Sequence, residues 1–330
     1  MRILVTGGAG FIGSQLTAQL LQRNHDVIVL DNFDDYYNPA VKRANIAALG
    51  YNPHLHVIEG DIRNDVLVDE VFHDYAITHV VHLAALPGVR SSINKARLYT
   101  DVNLNGSLVL MDASAKYGVE LFIQASTSSV YGNTSQIPFR ECDSGDQPLA
   151  PYPASKRSAE LYAHSYHQLH DMNLTMLRFF NVYGPQGRPD MMPMRVIDSI
   201  LKQQPIPLFA GGSLERDWTY IDDTVAGILA ALERPMGYQV INLGYGSPIP
   251  LTRFIEIYER LIGKQAITYD VPAPRSEPNI TYCDNRLACE LLGFAPKISI
   301  EVGLARTWDW YQSRFADNRD DLIALPHKRR

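Results

Sequence analysis

A glycine-rich turn at the start of the chain limits the folds that this sequence can adopt. The apolar run Arg2–Thr6 leads directly into residues 7–13 (GGAGFIG), and Leu16 and Leu20 then continue an apolar repeat at helical spacing. Glycines between a strand and a helix permit a tight turn and let backbone N–H groups approach a pyrophosphate. The segment fits the dinucleotide-binding pattern through Gly10 and Gly13, with either Gly7 or Gly8 as the first glycine.

Two acidic residues follow the next two apolar runs. Asp31 ends the run Asp26–Asp31, where a carboxylate can accept hydrogen bonds from the adenosine ribose and would repel a 2′-phosphate. This position favours NAD over NADP as the cofactor, and the alternative is a turn-forming aspartate before Asn32. Asp61 follows the run Leu55–Glu59 and either contacts the adenine or caps the strand.

Short apolar runs alternate with helical patterns through the first half of the chain. Helices are predicted over 101–117 and 155–170. The alternation predicts an α/β fold, a Rossmann-type doubly wound parallel sheet with helices on both faces. Besides the three runs above, strands are predicted over 79–83, 121–125 and Leu174–Phe179.

The pattern loosens after Phe180, where prolines crowd a loop-rich region. Helices are predicted over 196–203, 224–234 and Leu251–Ile262, and the apolar segment 239–243 resembles a return to the sheet. We therefore predict three parts of the chain. They are an NAD-binding Rossmann domain over 1–180 with return segments near 216–245, a smaller C-terminal α/β substrate-binding lobe over 181–312, and a mobile tail over 313–330.

Composition excludes several classes of function. The net charge of −6 argues against non-specific nucleic-acid binding, so an anionic ligand needs a local group of arginines or lysines. The chain lacks an apolar run long enough for a transmembrane helix, and its apolar start is a strand rather than a signal peptide. The three cysteines and ten histidines have no metal-ligand spacing, which predicts no metal site and a reducing, cytoplasmic location.

A tyrosine and a lysine lie four positions apart at a predicted helix start. Tyr152 and Lys156 would share one helix face. A free tyrosine has a pKa of about 10, and a nearby ammonium and an oxidised nicotinamide ring would both lower it. Lys156 can also hold the nicotinamide ribose, and the alternative for the pair is an exposed helix surface.

Hydroxyl side chains follow the predicted strand 121–125. Residues 126–132 (STSSVYG) would lie at the carboxyl edge of the sheet, where α/β enzymes bind ligands. A hydroxyl there can bridge a substrate oxygen and Tyr152, and the alternative is a polar turn.

Together these motifs resemble the extended short-chain dehydrogenase/reductase family, also described as NAD-dependent epimerases and dehydratases. The family includes UDP-galactose 4-epimerases, UDP-glucuronate 4-epimerases and nucleotide-sugar dehydratases, and the resemblance extends to about residue 312. The matching segments are 6–13, 60–63, 82–85, Asn103, 126–132, 152–156, 178–185 and 216–223.

The resemblance implies a role for each matching position. The hydroxyl of the catalytic triad falls on Thr127 rather than Ser126, beside Tyr152 and Lys156. The implied NAD contacts, besides Tyr152 and Lys156, are Gly7, Gly10, Phe11, Ile12, Gly13, Asp31, Asn32, Asp61, Ile62, Leu83, Ala84, Ala85, Asn103 and Phe179. It also implies a homodimer formed through the helices near 101–117 and 155–170.

Two serines after Thr127 favour one reaction type within the family. Dehydratases, and similarly the decarboxylases, have acidic residues at these positions, which here are Ser128 and Ser129. Without that proton donor, elimination loses its acid, whereas epimerisation needs one base and a returned hydride. The sequence therefore predicts a nucleotide-sugar 4-epimerase that works through a 4-keto intermediate.

Three segments resemble the UDP-glucuronate 4-epimerases in particular: 31–39, 87–90 and 184–191. Arg188 would pair with the sugar carboxylate because a guanidinium fork binds carboxylates bidentately, and Arg90 is a second candidate. Asn181 departs from this variant, which often has threonine there, and matches galactose-type enzymes. The alternative for either arginine is a solvated loop charge.

The remaining substrate candidates lie around the nucleotide. Arg216 is assigned to the diphosphate, with Arg275 as a weaker candidate because Ser276-Glu277-Pro278 replaces the family's Gly-Asp-Val. Phe209 either stacks on uracil or packs in the core. The alternatives to UDP-glucuronate epimerisation are a UDP-glucose/UDP-galactose or UDP-pentose 4-epimerase, a dehydratase or decarboxylase, and a non-catalytic NAD-binding protein. The predicted substrate contacts are Pro87, Arg90, Thr127, Asn181, Arg188, Phe209, Arg216 and Arg275.

Overall fold

The computed structural model describes residues 1–315. Its strands, in chain order, are β1 (Arg2–Thr6), β2 (Asp26–Asp31), β3 (Leu55–Glu59), β4 (His79–His82), β5 (Leu121–Thr127), β6 (Leu174–Phe179), β7 (Asn181–Tyr183), β8 (Ile206–Phe209), β9 (Glu215–Tyr220), β10 (Tyr238–Leu243), β11 (Pro248–Pro250) and β12 (Thr268–Val271). Its helices are α1 (Phe11–Gln22), α2 (Pro39–Ala47), α3 (Asp65–Tyr75), α4 (Val89–Ser92), α5 (Ala96–Thr100), α6 (Gly106–Tyr117), α7 (Pro151–His170), α8 (Met192–Lys202), α9 (Ile221–Leu232), α10 (Leu251–Ile262), α11 (Arg286–Leu292) and α12 (Ile300–Phe315).

A seven-stranded sheet forms the centre of the molecule, in the order β10-β6-β5-β4-β1-β2-β3. All neighbouring pairs in it are parallel. The strand order turns back between β1 and β4, and such a reversal leaves a crevice at the carboxyl ends of the strands where ligands bind. The predicted doubly wound parallel sheet is confirmed.

The sheet is buried on both faces, which explains why its strands are continuous apolar runs. Along β1, Ile3 and Val5 pack into one core with Leu16 of α1, and Leu4 packs into a second core with Phe72 of α3. Helices α1 and α9 cover the first face, and α3, α6 and α7 cover the second.

Several element boundaries differ from their predictions, and three of these differences lie at the candidate site. Strand β5 continues to Thr127, two residues past the predicted end, so residues 126 and 127 are in the sheet. Helix α7 begins at Pro151 rather than at 155, because a proline at the first helical position needs no N–H partner. Residues 101–105 form one π-helical turn before α6 begins.

The second half of the chain adds a smaller lobe. Strands β7, β9 and β11 form a three-stranded sheet, and β8 pairs with β12. The segment beginning at Arg216 therefore belongs to the lobe as β9, whereas the return to the central sheet is made by β10. The first part of the predicted tail, 313–315, lies in α12, and 316–330 lie outside the described residues.

Within residues 1–315, no helix combines the length and the apolar character required to cross a bilayer.

Candidate active site

The glycine turn between β1 and α1 leaves no room for side chains. A Cβ atom on Gly7 would lie 2.7 Å from the backbone nitrogen of Ala84, and one on Gly13 would lie 2.2 Å from the carbonyl oxygen of Gly7. Gly10 caps α1 without a side-chain hydrogen bond, and the first turn holds no acidic residue. The N–H groups of Phe11 and the residues after it therefore offer an anion site with a favourable helix dipole.

Asp31 supports this turn from the end of β2. Its buried carboxylate accepts hydrogen bonds from the backbone N–H groups of Ala9 at 3.0 Å and Phe33 at 2.9 Å. Lys42 lies 4.0 Å away and offsets its charge. Asp31 thus has a bracing role that the sequence did not predict, and its contact with an adenosine ribose stays a prediction.

Three predicted NAD contacts, Asn32, Asp61 and Ile62, lie together at the carboxyl ends of β2 and β3. Asn32 donates a hydrogen bond from Nδ2 to Asp61 at 3.2 Å, and Ile62 is buried against Gly106. Hydrogen bonds from Arg63 at 2.9 and 2.7 Å lower the pKa of Asp61 to about 2. The aspartate is therefore ionised and already paired.

The segment after β4 lies against the glycine turn. The N–H of Leu83 donates to the carbonyl of Thr6 at 3.1 Å, and the N–H of Ala84 donates to its hydroxyl at 3.3 Å. Leu83, Ala84 and Ala85 are partly exposed, and their contact with the nicotinamide side of NAD stays a prediction.

Asn103 is fully buried in the π-turn before α6. Its Oδ1 accepts the N–H of Leu86 at 2.7 Å, and its Nδ2 donates to the Leu86 carbonyl at 3.0 Å and to Ser155 at 3.1 Å. Both amide hydrogens are thus used within the protein. Asn103 ties the wall after β4 to the catalytic helix α7, and its predicted NAD contact stays a prediction.

Thr127 and Tyr152 meet where β5 ends and α7 begins. The Thr127 side chain is buried, accepts the N–H of Ser129 at 3.1 Å, and hydrogen-bonds the Tyr152 phenol. The backbone N–H of Tyr152 donates to Ser92 at 3.1 Å, and its ring meets Tyr99 edge-on at 6.3 Å. The phenol is therefore held from both the strand and the helix start.

Burial raises the pKa of Tyr152 above its ordinary value. The hydrogen bond with Thr127 and the positive charge of Arg188 both act against this rise, while Tyr36 adds to it. The sequence predicted that Lys156 would supply the positive charge. In the structure Arg188 is the cation whose charge lowers the pKa of this phenol.

Lys156 is buried with its Nζ atom lacking any hydrogen-bond partner among residues 1–315. Burial lowers its pKa to about 8, and the negative charge of Glu160 opposes that shift. Buried polar groups in folded proteins almost always have partners, so an orphaned ammonium one helical turn after Tyr152 fits a site for a bound ligand. The hydroxyls of a nicotinamide ribose match this donor.

A buried ion pair that the sequence did not predict lies beneath the catalytic residues. Glu160 accepts hydrogen bonds from Arg178 at 2.9 and 2.7 Å and from Ser126 at 2.5 Å. Burial would raise the pKa of Glu160, but Arg178 and Ser126 hold it below its usual range. Because side chains alternate along a strand, Ser126 points to Glu160 while Thr127 points to the phenol. The sequence offered one indication of this ion pair: Glu160 is an acidic residue one helical turn after Lys156 on the predicted helix.

Arg188, whose positive charge acts on the Tyr152 phenol, already has one edge of its guanidinium occupied. Its Nε and Nη2 atoms donate to Asp190 at 2.9 and 3.1 Å, and its guanidinium lies 5.8 Å from the centre of the Tyr36 ring. The Tyr36 hydroxyl contacts Ser91 at 2.9 Å and Asp190 at 3.4 Å. Asp190 and Tyr36 join the site although the sequence did not single them out.

Two arginines predicted to contact the substrate, Arg90 and Arg216, meet at Glu277. Arg90 lies 3.0 Å and Arg216 2.9 Å from its two carboxylate oxygens, and Arg90 also lies 5.3 Å from the centre of the Phe209 ring. Arg90 follows β4 whereas Arg216 is in β9, so Glu277 links the main sheet to the lobe. Glu277 belongs to the segment Ser276-Glu277-Pro278, which stands where the family often has Gly-Asp-Val.

The other predicted substrate residues are more dispersed. Asn181 begins β7 and accepts a hydrogen bond from Thr281 at 3.4 Å. The carbonyl of Pro87 accepts the Tyr99 hydroxyl at 2.7 Å. Arg275 is exposed, and within residues 1–315 its side chain has no ion pair that draws it to the Arg90–Glu277–Arg216 group. Phe179, predicted beside the cofactor, is buried at the end of β6.

The turn after Thr127 contains serines where an elimination would need an acid. Residues Ser128–Tyr131 form a 3-10 turn in which Ser128 is buried. The strand end therefore supplies hydroxyls and backbone N–H groups to a substrate and no proton donor of the carboxylic type.

The chain matches the model of the NAD dependent epimerase/dehydratase family over residues 3–244. It is 41% identical over 308 residues to a UDP-glucuronate 4-epimerase of Thermodesulfobacterium geofontis, covering 93% of this chain and 95% of that protein.

Two solved structures share the whole fold. One is a UDP-glucuronic acid 4-epimerase from Bacillus cereus in complex with UDP-glucuronic acid and NAD, with a TM-score of 0.89, 35% identity, and coverage of 96% of this chain and 100% of that one. The other is a UDP-glucose 4-epimerase from Thermotoga maritima with UDP-glucose, with a TM-score of 0.87, 30% identity, and coverage of 95% and 99%.

Proposed function

The chain belongs to the NAD dependent epimerase/dehydratase family, and from that premise we propose that it interconverts UDP-glucuronate and UDP-galacturonate. The observation that carries the proposal is the position of Arg188, whose charge acts on Tyr152. A cation beside the catalytic phenol suits a sugar that carries a carboxylate next to the reacting carbon. The enzyme is an NAD-dependent sugar-nucleotide epimerase.

Tyr152 acts as the base of the reaction. Its phenolate takes the proton from the sugar 4-hydroxyl, with the Thr127 hydroxyl in the hydrogen-bond path, and later returns it. Bound NAD supplies the reversible acceptor for the hydrogen removed from carbon 4. Lys156 would hold the nicotinamide ribose through its ammonium, which has no hydrogen-bond partner within residues 1–315, and the start of α1 would hold the pyrophosphate.

The 4-keto uronate formed in this way is a β-keto acid and is prone to lose carbon dioxide. The enzyme must hold the carboxylate out of alignment with the ketone, and we assign Arg188 to this task. The serines at 128 and 129 add no acid that would favour elimination.

The nucleotide is assigned to the lobe side of the crevice. Arg216 would bind the diphosphate, and Phe209 would stack on the uracil. Arg90, which the sequence offered for the sugar carboxylate, shares Glu277 with Arg216 and is here reassigned to the diphosphate. Arg275 remains a weaker candidate because it is exposed and apart from this group. In this division, residues 1–180 with β10 bind NAD, and residues 181–312 mainly bind the sugar nucleotide.

A product assay tests the proposed substrate. The enzyme is incubated separately with UDP-glucuronate, UDP-glucose and UDP-xylose, and each product is identified by chromatography. Conversion of UDP-glucuronate to UDP-galacturonate as the fastest reaction is expected. Faster inversion of UDP-glucose would instead support a galactose-type epimerase, the reading that Asn181 favours.

We also place the enzyme in the cytoplasm as a homodimer. Helices α6 and α7 pack side by side, and α7 exposes Leu161, Tyr162 and Leu169, which suits a helical interface with a second copy. The three free thiols suit a reducing compartment. Sedimentation should show a dimer that a charged residue at Leu161 disrupts, and fractionation of the source cell should recover the activity in the cytosol.

A further inference from the structure

Asp190 forms an ion pair with Arg188, the residue assigned to the sugar carboxylate. Within residues 1–315, the side-chain hydrogen bonds of Arg188 all run to Asp190, through Nε at 2.9 Å and Nη2 at 3.1 Å. The two side chains are 23% and 28% exposed, so a ligand entering the crevice can reach both. Arg188 therefore meets a substrate as one half of a neutral pair.

Inversion at carbon 4 requires the keto sugar to present both of its faces to the same bound cofactor. The carboxylate on the neighbouring carbon must then swing away from the place where it first bound. A cation that held this carboxylate without a second partner would be left unpaired at that moment, in a partly buried position where an unpaired charge is costly.

We propose that Asp190 is the resident counter-ion of Arg188, which lets the uronate carboxylate bind and leave as the sugar turns. Arg188 can share its five N–H donors between two carboxylates, because Asp190 uses only one edge of the guanidinium. The proposal rests on the proposed function and makes Asp190 a positioning residue for uronates, acting through Arg188.

Tyr36 keeps Asp190 in place for this role. Its ring lies along the Arg188 guanidinium, and its hydroxyl reaches both Ser91 and Asp190. Asp190 therefore keeps a second hydrogen-bond donor when Arg188 turns toward a substrate, so neither member of the pair is stranded.

The test replaces the charge and keeps the shape. In Asp190→Asn, Arg188 loses its counter-ion, so UDP-glucuronate should bind roughly twofold to fivefold more tightly, the range for a partly exposed ion pair. The kcat should fall by a similar factor because the carboxylate is released more slowly. The affinity for UDP-glucose and for UDP alone should not change. Calorimetry gives the affinities, and steady-state kinetics give kcat and KM.

Two further variants make the result specific. Arg188→Gln with Asp190→Asn should show no additional effect of the second change, because Asp190 acts through Arg188. Asp284→Asn removes a matched aspartate, which pairs with Arg286 two residues away at 2.5 Å and lies outside the site. It should leave affinity and turnover unchanged.

Weaker binding of UDP-glucuronate by Asp190→Asn, or unchanged kcat, would overturn the proposal and leave Asp190 as a simple support for Arg188. If Asp190→Asn unfolds early, Asp190→Ser gives the same comparison. Failure of the wild-type enzyme to invert UDP-glucuronate would instead reject the proposed function, so the two failures are separate.

Discussion

The residues assigned to NAD and those assigned to the sugar nucleotide differ in which charged groups already have a partner. On the cofactor side, Asp31 and Asp61 lie against Lys42 and Arg63, but within residues 1–315 the Lys156 Nζ atom has no hydrogen-bond partner and α1 begins without a side-chain cap. On the sugar side, Arg188 is paired with Asp190, and Arg90 and Arg216 share Glu277. A cofactor that stays bound can serve as the permanent partner of a buried polar group. A substrate binds and leaves in each cycle, so the charged groups that bind it need partners within the protein when the site is empty.

The largest effect on turnover is expected at Tyr152, the proposed base. Tyr152→Phe removes the base and keeps the ring against Tyr99, so turnover should fall by about 10³-fold, within the range for a lost general base. NAD content and UDP-sugar affinity should stay near wild type, as measured by bound-cofactor absorbance and calorimetry. Retention of native turnover would remove Tyr152 from the mechanism.

Replacement of Lys156 should change protein stability and NAD affinity in opposite directions. Lys156→Met should weaken NAD binding yet stabilise the NAD-free protein at pH 7 by roughly 3 kcal/mol, because a buried charge with a pKa of about 8 is no longer forced into the core. Denaturant unfolding of the NAD-free proteins measures this difference, and an unchanged NAD affinity would contradict the ribose assignment.

The pH dependence of that difference has a defined sign. The pKa of Lys156 is lower in the folded state, about 8, than in the unfolded chain, so the unfolded chain binds more protons between these values. Wild-type stability should therefore rise relative to Lys156→Met from about pH 8 to about pH 10, where an unfolded lysine begins to lose its proton. A difference that stays flat over this window would mean that Lys156 is paired in solution.

The smallest effect is expected where a shared carboxylate is removed on the sugar side. Glu277→Gln releases Arg90 and Arg216, so UDP alone should bind about threefold more tightly, consistent with a partly exposed ion-pair group. Calorimetry with UDP measures the change, and Asp284→Asn again serves as the control. Weaker UDP binding would show that Glu277 orients the arginines rather than competing for them.

The cofactor side could be predicted from sequence because its pattern is local. A strand, a glycine turn and a helix follow one another within the first 22 residues, and Asp31 ends the next strand. Tyr152 and Lys156 lie on one helix, so their spacing alone places them together. Helix α7 begins four residues before the predicted 155, because the first helical turn tolerates the prolines at 151 and 153.

The pairing partners could not be predicted because they come from distant or unremarkable positions. Glu277 and Arg90 are far apart in the sequence and form an ion pair only in the folded protein. Likewise, Glu160 lies in α7 and Arg178 in β6, so their ion pair depends on how the helix packs against the sheet. Asp190 follows Arg188 closely, but sequence spacing does not distinguish an arginine that awaits a ligand from one that is already paired.

The double hydrogen bonding of Asp31 has a consequence for coenzyme engineering. The usual way to make such an enzyme accept NADP is to replace this carboxylate with a small or basic residue, which removes the repulsion of the 2′-phosphate. Here the same carboxylate accepts the N–H of Ala9 and so supports the pyrophosphate turn. A redesign for NADP would therefore need a new acceptor for Ala9, and the phosphorylated coenzyme would otherwise meet a loosened phosphate loop.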